Sequence, residues 1–108
     1  MTQKELHEIL IAYPRVKLEH PFGPEAAVYK VEVGEDKKMF ALIAEDSDPV
    51  RLTLKCDPNL AETLRENYES VMPGYHMNKR HWNTIVLTGQ LDNQQILDLI
   101  DHSYQLVA

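Results

Sequence analysis

The chain has 108 residues, 44% of them hydrophobic and 26% charged, with a formal net charge of −6. That length and balance fit one soluble globular domain, residues 1–108, that buries about two thirds of its unfolded surface without needing a disulfide or a metal. No apolar run approaches the ~20 residues of a membrane span, which excludes a membrane partner, and the acidic balance leaves nucleic acid open only to a local patch.

The N-terminal stretch MTQKELHEIL is broken by charges, so it is not expected to be a secretory signal. Thr2 followed by Glu5 is a capping-box pattern, and Leu6, Ile9, Leu10 and Tyr13 fall on one helical face. Pro14 ends this first helix. VKLEHPFGPE reads as a short extended piece and a Pro/Gly turn. AAVYKVEV alternates, with Ala27, Tyr29, Val31 and Val33 on one face and Val28, Lys30 and Glu32 on the other. GEDKK supplies a turn. MFALIAE follows as a strand that is apolar on both faces, which implies a central position or a partly covered outer face. DSDP turns the chain again. VRLTLKC puts Val50, Leu52, Leu54 and Cys56 inside and Arg51, Thr53 and Lys55 outside.

Asp57 and Pro58 open a second helix, with Leu60, Ala61, Leu64 and Tyr68 as its apolar stripe. SVMPGY breaks the pattern, and Pro73–Gly74 makes a turn. RHWNTIVLTG reads as a last strand. Asp92 with Gln95 caps a third helix, whose Ile96, Leu97, Ile100, Tyr104 and Val107 face the core. The order is α-β-β-β-β-α-β-α. Short turns make the strands antiparallel, and three amphipathic helices need one sheet face. The fold class is therefore α+β, a two-layer sandwich with helices packed on one face and the other face partly bare.

Charge is unevenly spread. The helical segments 1–14, 57–69 and 92–108 carry −1, −3 and −3, while residues 70–91 carry +2. The stretch GYHMNKRHW, residues 74–82, holds two histidines, a lysine, an arginine, an asparagine and the only tryptophan, with no carboxylate. Alternation places Arg80, Trp82 and Thr84 on one face and His81, Asn83 and Ile85 on the other. We assign the first set to the bare face, alongside Arg51 and Lys55.

Three chemistries compete for this stretch. A metal site would need His76, His81 and the distant His20, a wider spacing than zinc ligands use, so no metal or other cofactor is expected. Catalysis would need a nucleophile, a base and an orienting partner, and no motif links the serines, the histidines and Cys56 in that way. Cys56 closes an apolar alternation and reads as a buried structural thiol; a lone cysteine also suits a reducing cytoplasm. No enzymatic activity is expected. A nucleic-acid contact uses cations for phosphates and aromatic rings for bases, and Lys79, Arg80, Trp82 and Asn78 supply these types, with Lys30, Arg51 and Lys55 adding charge. As residue types alone, the segment fits equally well a solvated turn with Trp82 closing the core edge.

MPGYHMNKRHWNTIVLTG closely resembles the signature of the MmcQ/YjbR family. HPFGPEAAVYKV, MFALI, LTLKCDPNLAETLRENY and ILDLIDHSYQLV occur in the family's order, so the resemblance covers nearly the whole chain. It implies the CyaY-like fold and DNA binding through a double-wing arrangement of hairpins. It marks His76, Asn78, Lys79, Arg80, His81, Trp82, Asn83 and Thr84. On that basis Lys79 and Arg80 are phosphate contacts, Trp82 a stacking or anchoring ring, and Asn78 and His76 polar contacts. Frataxin-like proteins share the fold and bind iron through an acid-rich first helix; here that helix has only Glu5 and Glu8, beside Lys4. The expectation is a cytoplasmic, monomeric DNA-binding protein. The alternative is an adaptor that binds a protein or small ligand on the same face, with Trp82 and Asn83 locking the turn to the first strands against HPFG.

Overall fold

The computed structural model describes residues 1–45, 47–74 and 77–108. The first helix, α1, spans Gln3–Ile11 and starts on the expected capping box: the Thr2 side chain accepts from the Glu5 amide, and the Glu5 carboxylate accepts from the Thr2 amide. Those bonds stabilise the ionised carboxylate and hold the Glu5 pKa below its ordinary range. Four strands follow: β1 Val16–Glu19, β2 Ala26–Val33, β3 Asp36–Ala44 and β4 Arg51–Lys55. Next is α2, Pro58–Asn67, whose cap Asp57 accepts from the amides of Asn59 and Leu60. The chain then forms β5 Val71–Pro73, β6 Trp82–Val86 and α3 Asn93–Val107, the last capped by Asp92 and Gln95.

The six strands form one sheet in the order β1-β2-β3-β4-β6-β5, with every neighbouring pair antiparallel. The α+β sandwich stands as expected, with one short strand added. β5 lies in the stretch read as a break, and it pairs Val71 with Ile85 and Pro73 with Asn83. Its three residues are too few to show a period, and a proline is tolerated there because β5 is an edge strand. β3 also starts earlier than its apolar run: Asp36, Lys37 and Lys38 are exposed but pair with Val33, Glu32 and Val31. Pairing with β2 extends the strand past its buried part.

All three helices pack on one sheet face. The core there joins Leu6 and Leu10 of α1, Tyr29 and Val31 of β2, Phe40 and Ile43 of β3, Leu52 of β4, Ile85 of β6, and Ile96 and Ile100 of α3. A bulge at Phe40 lets two successive residues, Phe40 and Ala41, turn inward. Phe40 thereby meets Tyr104 edge to face, with ring centroids 5.5 Å apart. One buried polar group ties the layers together. Ser103 of α3 donates to the Phe40 carbonyl at 2.6 Å and accepts from the Lys55 amide at 3.0 Å.

Candidate binding site on the helix-free sheet face

β4 and β6 run side by side, with Thr53 opposite Thr84 and Lys55 opposite Trp82. Alternation turns Asn83 and Ile85 toward the helices, and Trp82 and Thr84 toward the other face, where they border a hollow with Arg51 and Thr53. The face expected for Trp82 and Thr84 is the one observed. Arg80 needs correcting. β6 begins at Trp82, so alternation does not reach Arg80. It belongs to the preceding turn, where the Asn78 side-chain oxygen accepts from its amide at 3.0 Å. That side chain-to-backbone bond two residues on is the turn chemistry asparagine favours. Asn78, Lys79 and Arg80 are all exposed.

The turn is fixed from below. Arg65 of α2 donates from one guanidinium nitrogen to the Lys79 carbonyl at 2.9 Å and to the Asn83 side-chain oxygen at 2.8 Å. Asn83 is 2% exposed, and its amide donates to the Ala61 carbonyl at 3.2 Å. The lock expected from Asn83 is therefore present, but it clamps the turn to α2 rather than to the first strands. On the other side, the Gly74 amide donates to the Trp82 carbonyl at 3.0 Å. A Cβ on Gly74 would lie 2.9 Å from the Trp82 Cβ, so only glycine allows this approach.

The hollow encloses about 620 Å³, within the range of small-molecule pockets. Its floor is β3 (Met39, Leu42, Ala44) with Thr53 and Thr84. The two hydroxyls face each other at 2.8 Å. These threonines are only 6% and 8% exposed although no helix covers them. Phe22, from the HPFG turn, borders one side and is 66% exposed; Met77, Asn78 and Trp82 border another. Arg51 is the only charged side chain among the described lining residues.

The other expected contacts separate into two groups. Lys55, Lys79 and Arg80 lie beside the hollow in chain or in register and, like Arg51, have no ion-pair partner among the described residues. Lys30 lies opposite Met39 in register but is paired with Glu19 at 3.2 Å. Lys37 bonds the same carboxylate at 3.1 Å, and the two lysines hold the Glu19 pKa below its ordinary range. His81 is half-buried at the foot of β6, where its carbonyl accepts from the Cys56 amide. His76 lies outside the described residues. No group of three His, Cys, Asp or Glu side chains suited to a metal occurs among the described residues, and His20 instead bonds Glu45 at 3.3 Å. Cys56 is buried, and burial, with help from the Asp57 charge, pushes its thiol up to about 11. That is the opposite of what an activated nucleophile requires.

Residue patterning alone did not reveal Arg65, Phe22, Met39 or Met77 as parts of the site. Arg65 reads as a helix-surface cation until its two oxygen partners are seen. The available signal for the floor was β3 itself, apolar on both faces.

The comparisons with known proteins agree with this architecture. The YjbR family profile matches residues 11–106. The chain belongs to the YjbR family. YjbR of Escherichia coli, an uncharacterised protein, is 37% identical over 97% of this chain and 86% of its own length. YbdF of Escherichia coli, also uncharacterised, is 35% identical over the whole chain and 88% of its own length. The crystal structure of a Deinococcus radiodurans protein with a DUF419 domain superposes with a TM-score of 0.92 at 37% identity, covering 98% of this chain and 78% of that one. The expected resemblance thus holds as YjbR membership, and the hollow with its clamped turn is the candidate site on this YjbR domain. No described helix is long and apolar enough to cross a membrane.

Proposed function

We propose that this YjbR-family chain is a non-catalytic, monomeric DNA-binding protein of the reducing cytoplasm, and that its contact surface is the rim of the hollow. One observation carries the reading. Lys55 opposite Trp82, Lys79 and Arg80 in the turn before it, and Arg51 in the hollow it borders have no ion-pair partners among the described residues, whereas Lys17, Lys30 and Lys37 are taken up by Glu32 and Glu19. Free cations around an aromatic ring are what a phosphate backbone with accessible bases requires. The clamped turn holds Lys79 and Arg80 in place, so less ordering entropy is lost on binding.

The test is fluorescence anisotropy with labelled duplex and single-stranded DNA at about 50 and 200 mM salt. The native chain is compared with the Lys79→Ala/Arg80→Ala double variant. Binding that weakens with salt, and weakens again in the variant, supports the reading. Absence of binding at low salt overturns it.

A further inference from the structure

The interior of the hollow has a chemistry different from its rim. Its surface is mostly apolar side chain, from Leu42 and Met39 below to Trp82 and Phe22 at the sides. A phosphate chain gains little from such a surface, whereas an apolar group gains by leaving water. The polar side chains in the hollow are Arg51, Asn78, Thr53 and Thr84. Arg51 carries a guanidinium with no ion-pair partner among the described residues. The Asn78 oxygen accepts from the Arg80 amide, and its NH₂ group has no hydrogen-bond partner among the described residues. Thr53 and Thr84 share one bond, so one hydroxyl hydrogen of the pair is uncommitted. No described lining residue is acidic.

A guanidinium with no ion-pair partner among the described residues, set at the edge of an apolar cavity, selects a ligand with an anionic head and an apolar body. We propose that the hollow is a binding site for a small monocarboxylic acid, its carboxylate on Arg51 and its apolar body over Leu42 against Trp82. The proposal shares Arg51 and Trp82 with the DNA reading, but it rests on the apolar lining, while the DNA reading also needs Lys55, Lys79 and Arg80.

Trp82 is the only tryptophan in the chain and it borders the hollow, so its emission reports occupancy directly. Octanoate and its uncharged counterpart 1-octanol are titrated separately, in the absence of DNA. Octanoate is expected to give a saturable emission change, and octanol one that needs about tenfold or more higher concentration. Arg51→Met keeps an unbranched aliphatic stem at this exposed position and removes the charge. It is expected to bring octanoate to the level of octanol, while Arg51→Lys keeps most of the preference. Thermal melts of both variants confirm that they are folded. A non-saturable response to octanoate, equal affinity for octanoate and octanol in the native chain, or an unchanged preference in Arg51→Met would each overturn the proposal. The DNA titration contains no carboxylic acid, so either reading can fail without the other.

Discussion

At the residue scale, the side chains with the most at stake are buried polar groups whose partners are specific. Asn83 satisfies both ends of its amide, one on Arg65 and one on Ala61. Asn83→Ala leaves the Arg65 guanidinium without one acceptor and opens a small gap, which should cost about 1–3 kcal/mol in urea unfolding. A loss under about 0.5 kcal/mol would show that the clamp contributes little, since that is the scale of an ordinary surface substitution. Cys56 makes a different prediction, about pH. Its folded thiol ionises near 11, while in the unfolded chain it ionises near its ordinary ~8.5. The folded state therefore keeps a proton that the unfolded state releases. The stability this adds is complete below about pH 8.5 and is lost as pH rises toward 11. Tyr29, pushed up to about 12 chiefly by burial, adds a second loss that starts near its ordinary value of ~10. Unfolding free energies measured from about pH 7.5 to 10 should thus decline more gently in Cys56→Ala than in the native chain. Parallel declines would mean that the native thiol ionises as easily as the unfolded one.

At the element scale, the helices depend on the sheet at a few defined points. Ser103 is one. The bulge at Phe40 ends the regular pairing of β3 with β4 at Ala41 and Leu54, which leaves the Phe40 carbonyl and the Lys55 amide without ladder partners. The Ser103 hydroxyl serves both, and its residue is fully buried. Ser103→Ala should lose about 1–3 kcal/mol, because two buried backbone groups are left unpaired. For a domain of this size that is a fall of several degrees in Tm, readable by calorimetry. A Tm within a degree of the native value would show that water takes over both bonds. This staple also marks the limit of what the sequence could tell. Caps at Thr2, Asp57 and Asp92, and the alternation in β2 and β4, are local signals, so helices and long strands were legible. β5 was not, because three residues ending in proline acquire strand geometry only from β6 beside them. The exposed face of β6 was half legible: alternation paired Trp82 with Thr84, but it could not show that the chain turns at Asn78 and leaves Arg80 off the strand. The hollow was legible only as an unexplained apolar outer face on β3. Its volume comes from Phe22 and Met77, which are brought to it by turns far apart in the chain.

At the scale of the whole molecule, the sheet separates two charge environments. The helical segments sum to −7 and the rest of the chain to +1, while Arg51 lines the hollow and Lys55, Lys79 and Arg80 adjoin it in register or in chain without ion-pair partners among the described residues. Salt screens charges over about 8 Å at physiological strength, so the acidic helical layer weakens but does not cancel attraction at the rim. The number of rim cations sets how binding must respond to salt. If Arg51, Lys55, Lys79 and Arg80 each displace one counterion from duplex DNA, log K falls against log salt with a slope of about −3.6. Affinity should then drop roughly a hundredfold between about 50 and 200 mM salt, and somewhat less for a single strand. Removing Lys79 and Arg80 should halve the slope to about −1.8, because two of the four contacts are lost. Trp82→Leu should weaken binding without changing the slope, since a ring contributes stacking and no counterion release. A slope near zero in the native chain would place the binding energy in the apolar hollow, and the rim cations would then have no part in it.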